Sequence, residues 1–157
     1  MNASPEFQFF LSSEGEMMDF GARLSSLLKA GDVIALYGDL GAGKTTLSRG
    51  LIHALLGNED DVPSPTYTIV QSYDAAPAMV WHFDLYRLED PEEVIEIGFE
   101  EALDDICLIE WPEKAGRYLP ADRLSLNIER DGDGRKLSLL PGTSDWKARL
   151  HEHFSED

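Results

Sequence analysis

The chain predicts an α/β fold, a three-layer domain with a mixed, mostly parallel central sheet and antiparallel margins. Three observations carry this expectation. Val33-Ile34-Ala35-Leu36-Tyr37 and Ile106-Cys107-Leu108-Ile109-Glu110 are continuous apolar runs, suited to strands buried on both faces. Leu47, Leu51 and Leu55 follow the first run at helical spacing. Near the C-terminus, Leu124, Leu126 and Ile128, then Leu137 and Leu139, alternate with polar residues on either side of Asp131-Gly132-Asp133-Gly134, a hairpin pattern. At 157 residues the chain makes one domain, 1–157, long enough for a full hydrophobic core.

The remaining elements follow in order. Phe7 to Leu11 reads as a short first strand. Ser13-Glu14-Gly15-Glu16 has the form of a capping box, and behind it Met17, Phe20, Leu24, Leu27 and Leu28 make a helical stripe ending at Gly31. After the second helix, which Gly57 stops, Tyr67 to Tyr73 and Met79 to Asp84 are strand-like. Asp74-Ala75-Ala76-Pro77 between them is short enough for an antiparallel hairpin. Pro91 to Leu103 is helical in pattern but split by Gly98, which predicts two short helices. Trp146, Leu150 and Phe154 line a closing helix.

Composition narrows the function classes. Thirteen basic against thirty acidic side chains give a net charge of −17, which disfavours direct binding to DNA or RNA phosphates. Eleven acids and no lysine or arginine lie between Glu89 and Glu113, which reads as a solvated acidic face or a docking surface for a basic partner. The single cysteine, Cys107, sits within a strand-like run and reads as an apolar filler, compatible with a reducing cytosol. No signal peptide pattern and no membrane-length apolar stretch are visible, so a cytoplasmic protein is expected.

Gly38-Asp39-Leu40-Gly41-Ala42-Gly43-Lys44-Thr45 fits G-x-x-x-x-G-K-[ST]. A strand enters it and a helix leaves it, the order the chemistry needs. A glycine-rich turn lets backbone N–H groups converge on phosphate oxygens, and the helix N-terminus faces the same anion. The domain is then of the P-loop nucleoside-triphosphatase type, with Lys44 reaching the β- and γ-phosphates and the Thr45 hydroxyl holding Mg²⁺. No Asn-Lys-x-Asp guanine-reading signature occurs, which favours ATP over GTP.

Such a site needs a second acid at a strand end, and two compete. Glu110 would stand near the metal, directly or through a water; Asp84 would hold a metal-bound water or orient the attacking one. Thr66, in Ser64-Pro65-Thr66-Tyr67-Thr68, reads on residues alone as part of a proline turn, with a nucleotide-sensing switch as the alternative. Trp111 would point away from Glu110 if the strand ran on, which Pro112 opposes; core packing is its default reading. The four histidines make no metal site: His151 and His153 face different ways, and His82 with Asp84 offers two ligands only. No convincing arginine finger is visible in cis, Arg87 and Arg135 being the candidates.

GDLGAGKTTLSRG at 38–50, SPTYT at 64–68, HFDLYRL at 82–88 and ICLIEWPE at 106–113 together resemble the TsaE family, also called YjeE, in order and spacing. The resemblance runs from the first helix to the Gly134-Arg135 turn. It implies a small bacterial Mg²⁺-dependent ATPase needed for N6-threonylcarbamoyladenosine in tRNA, acting with TsaD and TsaB and meeting tRNA only through them. It implies that Leu40 through Thr45 wrap the phosphates and that Thr45 and Glu110 serve the magnesium. It places Ser13 and Glu14 near the adenine, brings the Gly134 turn close to the nucleotide, makes Asp84 and Trp111 important for activity and favours the switch reading of Thr66. The expected nucleotide-binding set is Ser13, Glu14, Gly38, Asp39, Leu40, Gly41, Ala42, Gly43, Lys44, Thr45, Thr46, Thr66, Trp111 and Gly134. Lys44, Asp84 and Glu110 are expected to be catalytic, and Thr45, Asp84 and Glu110 to serve the metal. The competing readings are a nucleotide-gated binding module without hydrolysis and a small-molecule kinase on the same loop.

Overall fold

The computed structural model describes residues 7–39, 41–57, 62–63, 65, 68–75 and 78–154. Leu40, Thr66 and their expected roles lie outside the described residues. So do Ser64, Tyr67, the acidic positions 59–61, and Ala76-Pro77 of the hairpin connection.

Seven strands form one sheet in the order β1-β7-β6-β2-β5-β4-β3. They are β1 (Phe7–Leu11), β2 (Val33–Tyr37), β3 (Val70–Asp74), β4 (Met79–Asp84), β5 (Ile106–Glu110), β6 (Leu124–Asp131) and β7 (Gly134–Pro141). The central strands β6, β2, β5 and β4 are parallel, whereas β7 and β3 run antiparallel to their neighbours. The apolar runs of β2 and β5 lie at the middle, where both faces need cover. The alternating β6 and β7 form the expected hairpin, with Asp131 paired to Gly134.

Helices α1 (Glu14–Ser25), α2 (Lys44–Leu56) and α5 (Ser144–Phe154) contribute to the larger of two hydrophobic clusters, with Ile34, Leu36, Ile106 and Leu108 of the sheet. The short helices α3 (Glu93–Glu96) and α4 (Phe99–Ala102) and a 3-10 segment (Pro112–Tyr118) contribute to the other, with Val33, Phe83, Cys107 and Ile109. Strand alternation therefore sends even-numbered β5 residues toward α2 and odd-numbered ones toward α4. Glu110 ends β5 in phase with Ile106 and Leu108. His82 and Asp84 end β4 in phase with Val80 of the larger cluster.

Helices α1 and α2 pack so closely that glycine is required on each. A Cβ on Gly21 would lie 2.2 Å from the Leu47 carbonyl oxygen, and one on Gly50 would lie 2.1 Å from that of Met18. The contacts run in opposite chain order, Gly21 on Leu47 and Met18 on Gly50, so α1 lies antiparallel against α2. Among the described residues no helix is long and apolar enough to cross a membrane.

Several local expectations need correction. The α1 stripe stops being helical at Ser25, and Leu27 and Leu28 pack from the following turn. The capping box is half made: Ser13 Oγ accepts the Glu16 N–H at 3.1 Å, but the Glu16 carboxylate turns to the Ser12 N–H and hydroxyl instead of Ser13. Strand β3 begins at Val70, because Ile69 sits at φ +71° and breaks the extended run. The acidic stretch is mostly exposed, as the solvated-face reading expects, with two inward exceptions. Glu110 turns inward, and the Asp105 carboxylate accepts the Trp81 indole N–H at 3.1 Å.

Candidate functional site

Strand β2 delivers the chain into the glycine-rich loop and α2 carries it away, so the loop crosses the C-terminal end of the parallel sheet. Gly43 stands at the N-cap of α2 at φ +118°, with no side-chain cap bond and no acid in the first turn. That leaves the helix N-terminus, where backbone N–H groups and the positive end of the dipole meet, without a side-chain anion of its own.

A cavity of about 350 Å³ opens there. One wall is the loop and helix start, Gly41 to Thr46. A second is the pair of strand ends, Asp84 and Glu110, with Trp111. The third combines Leu11, Ser13, Glu14 and Met17 with the Asp133-Gly134-Arg135 turn. The fold thus brings together most of the expected set. Gly38 and Asp39 precede the cavity and are not among its lining residues. Gly38 still acts on the site, because its carbonyl accepts a hydrogen bond from the Lys44 ammonium.

Lys44 is buried, and its ammonium also stands 3.6 Å from the centroid of the Trp111 ring, a cation–π contact. Burial pushes the ammonium below the usual lysine range, while the Glu110 and Asp84 carboxylates pull it back up. Trp111 packs against the smaller cluster, as its default reading expects, and also lines the cavity. Strand β5 stops at Glu110, and Trp111 adopts φ +57° and ψ +51°, a left-handed turn that carries its ring back over the loop lysine. Tyr86 supports the ring from the side, with centroids 4.9 Å apart.

Thr45, in the first turn of α2, donates its hydroxyl to Glu110, at 3.1 Å from Oε1 and 3.0 Å from Oε2. Asp84 is the register partner of Glu110 across the β4–β5 pair. One of its oxygens, Oδ1, accepts the Tyr86 N–H at 3.0 Å, which holds the carboxylate at the turn after β4. The two acids stand side by side with different partners.

Sequence reasoning missed four contributors. Leu11 and Met17 are ordinary core residues by pattern and reach the cavity because β1 ends and α1 begins beside the loop. Arg135 was weighed only as a finger. Its guanidinium instead donates to the loop carbonyls of Ala42, at 2.9 Å, and Gly41, at 3.4 Å, and so ties the β7 turn to the loop. His82 was dismissed because two ligands make no zinc site, yet its Nε2 lies 2.7 Å from Glu110 Oε2. The i, i+2 spacing to Asp84 was the available signal. Gly134 is buried; a Cβ there would meet the Phe10 ring at 2.4 Å.

A loop of this sequence, set between a parallel central strand and a helix with two carboxylates at neighbouring strand ends, defines a phosphate-loop α/β domain. Comparison with known proteins makes the assignment specific. The TsaE family model, described as threonylcarbamoyl adenosine biosynthesis protein TsaE, matches residues 11–137. A Haemophilus influenzae protein named tRNA threonylcarbamoyladenosine biosynthesis protein TsaE is 41% identical over 142 residues, covering 86% of this chain and 89% of that protein. One of the same name from Bacillus subtilis is 40% identical over 114 residues, covering 71% and 70%. The crystal structure of Bacillus subtilis YdiB superposes with a TM-score of 0.82 at 27% identity, covering 99% of both chains. The chain belongs to the TsaE family.

Proposed function

We propose that the chain binds ATP with Mg²⁺ in this cavity, hydrolyses it slowly, and serves tRNA threonylcarbamoyladenosine synthesis in a complex with TsaD and TsaB. The observation that supports this most is the convergence of Lys44, the uncapped α2 N-terminus, Thr45, Asp84 and Glu110 on one cavity.

The donor set suits magnesium. Thr45 offers a hydroxyl oxygen and Asp84 and Glu110 offer carboxylates, all hard oxygen ligands. Thr45 and Glu110 already lie within hydrogen-bond distance, so their oxygens address a common point. When bound, the metal would neutralise charge that develops on the phosphate oxygens. The protein's own residues do the rest. The first-turn N–H groups of α2 hold the phosphate tail. Lys44 exchanges the Gly38 carbonyl for phosphate oxygens. Asp84, on the cavity side of β4, orients the attacking water. Ser13, Glu14 and the Gly134 turn form the end of the cavity suited to the base.

Arg135 is held by loop carbonyls, which makes it a brace for the loop and a poor finger. With Arg135 engaged in this way, slow turnover by the chain alone and stimulation by a partner arginine are expected. The same observation keeps a nucleotide-gated binding module as the second reading. At a net charge of −17 the chain is suited to meeting tRNA through its partners.

The test is turnover and co-migration with the purified chain, TsaB and TsaD. The expected result is a nucleotide-dependent complex and isolated turnover well below the roughly 1–100 per second of kinases. Fast turnover alone, or no co-migration with and without ATP, overturns the proposal. Partner function that is undiminished in the hydrolysis-impaired Asp84→Asn variant selects the second reading.

A further inference from the structure

The buried partner of Glu110 has no role in the scheme above. His82 is wholly buried on β4, and its Nε2 lies 2.7 Å from Oε2 of Glu110, whose side chain is 3% exposed. The other ring nitrogen, Nδ1, is buried and has no hydrogen-bond partner among the described residues. For Glu110 to face a cation its carboxylate must accept at Oε2, which assigns the ring proton to Nε2 in this reading. An unpaired buried nitrogen is a cost that an apolar side chain at this core position would avoid. What the histidine contributes must therefore come from the Nε2 side.

Glu110 receives donors from two elements, the His82 ring on β4 and the Thr45 hydroxyl on α2. One donor would leave the carboxylate plane free to turn about the last side-chain torsion, which is a broad, soft rotation. Two donors from different directions fix it. With Oε2 engaged by the ring, Oε1 is the oxygen left to face the metal when Thr45 turns its lone pairs that way. We infer that His82 is a positioning residue, which orients the Glu110 carboxylate for the magnesium of a bound nucleotide. This rests on the Mg²⁺–ATP reading of the cavity. His82 touches neither ligand; it acts through Glu110.

The experiment compares the whole chain with His82→Gln, whose side-chain amide keeps an N–H near the Nε2 position, and His82→Leu, which has no donor. A fluorescent N-methylanthraniloyl ATP is titrated in EDTA and in Mg²⁺, and the ratio of the two affinities is the readout. His82→Leu is expected to reduce the magnesium enhancement on the order of tenfold with the EDTA affinity unchanged, and His82→Gln to restore most of it. A role in stability alone would not produce that split. Independently, ¹⁵N-histidine spectra of the metal-free wild type should show one slowly exchanging Nε2–H proton, shifted downfield, that moves upfield in Glu110→Gln. Should His82→Leu fail to fold, His82→Gln and this resonance decide the matter.

Equal magnesium enhancement in folded His82→Leu and wild type overturns the inference. So does an equal loss in His82→Leu and His82→Gln, or the absence of the Nε2–H signal. In each of these outcomes wild type still binds nucleotide and responds to Mg²⁺, so the proposed function stands. If wild type binds no nucleotide in either buffer, both fall together.

Discussion

Strands β4 and β5 treat their two faces in opposite ways. Toward α4 they present Phe83, Cys107 and Ile109, which pack with Val94, Phe99 and Ala102. Toward α2 they present Val80, Ile106 and Leu108, followed in the same rows by the buried polar His82, Asp84 and Glu110. The same backbone thus carries packing on odd-numbered β5 residues and chemistry at the end of the even-numbered row. The lesson is that a buried acid needs no polar neighbourhood of its own strand. It needs partners from another element, here the Thr45 hydroxyl.

The largest break of this contrast lies on the apolar face. Phe99 is fully buried and meets Phe83 edge-on, with centroids 5.2 Å apart. Phe99→Ala should lose about 4 kcal/mol of stability in urea unfolding. Nucleotide affinity should be unchanged in the folded fraction; a parallel loss of affinity would show that the faces are coupled. On the polar face the order reverses. Lys44→Ala should weaken ATP binding by about 3 kcal/mol, on the order of a hundredfold by calorimetry, because it removes a charge from the phosphates. Melting temperature should barely fall, and unchanged binding would count against the loop assignment.

The two acids sharpen the comparison further. Glu110→Gln should lower turnover by roughly 2 kcal/mol and raise the Mg²⁺ concentration needed for tight binding. Asp84→Asn should lower turnover by a comparable amount with a smaller change in the magnesium requirement. Identical magnesium titrations for the two variants would erase the division of roles. Smaller still, Ser13→Ala should cost about 1 kcal/mol of stability through loss of the α1 cap, read by thermal melting.

The smallest effect is expected at Cys107. Burial pushes its thiol up to about 12, so the folded chain should resist a thiol reagent at neutral pH and react only on unfolding. Because the folded thiol keeps its proton above the ordinary value of 9.0, its contribution to stability is complete below that pH and is lost as pH rises toward about 12. Rapid labelling of the native chain would show that this face opens.

Elements with strong local signals were legible. Val33–Tyr37, Met79–Asp84 and Ile106–Glu110 form strands with the expected ends, since each is an apolar run closed by a turn residue or an acid. Gly98 splits α3 from α4 at φ +81°, a value that glycine reaches without strain. What was not legible depends on tertiary choice. A residue before proline is normally extended, so nothing in Trp111-Pro112 announces a left-handed turn that stacks the indole on Lys44. Arg135 braces the loop because β7 happens to end beside it, across 93 residues of chain from Ala42. The acids and the loop were found from type and position; the residues that hold them in place were not, because their partners lie on other strands.

The stacked indole has a practical meaning. Of the three tryptophans, Trp146 is 1% exposed beneath the Arg149 guanidinium, and Trp81 is tied to Asp105. Trp111 alone lines the cavity, with an ammonium group against its ring. An anion that draws that ammonium away changes the electric field on one chromophore and leaves the other two as a steady background. The molecule carries its own optical gauge, and occupancy of the cavity can be followed from ultraviolet emission without attaching any dye.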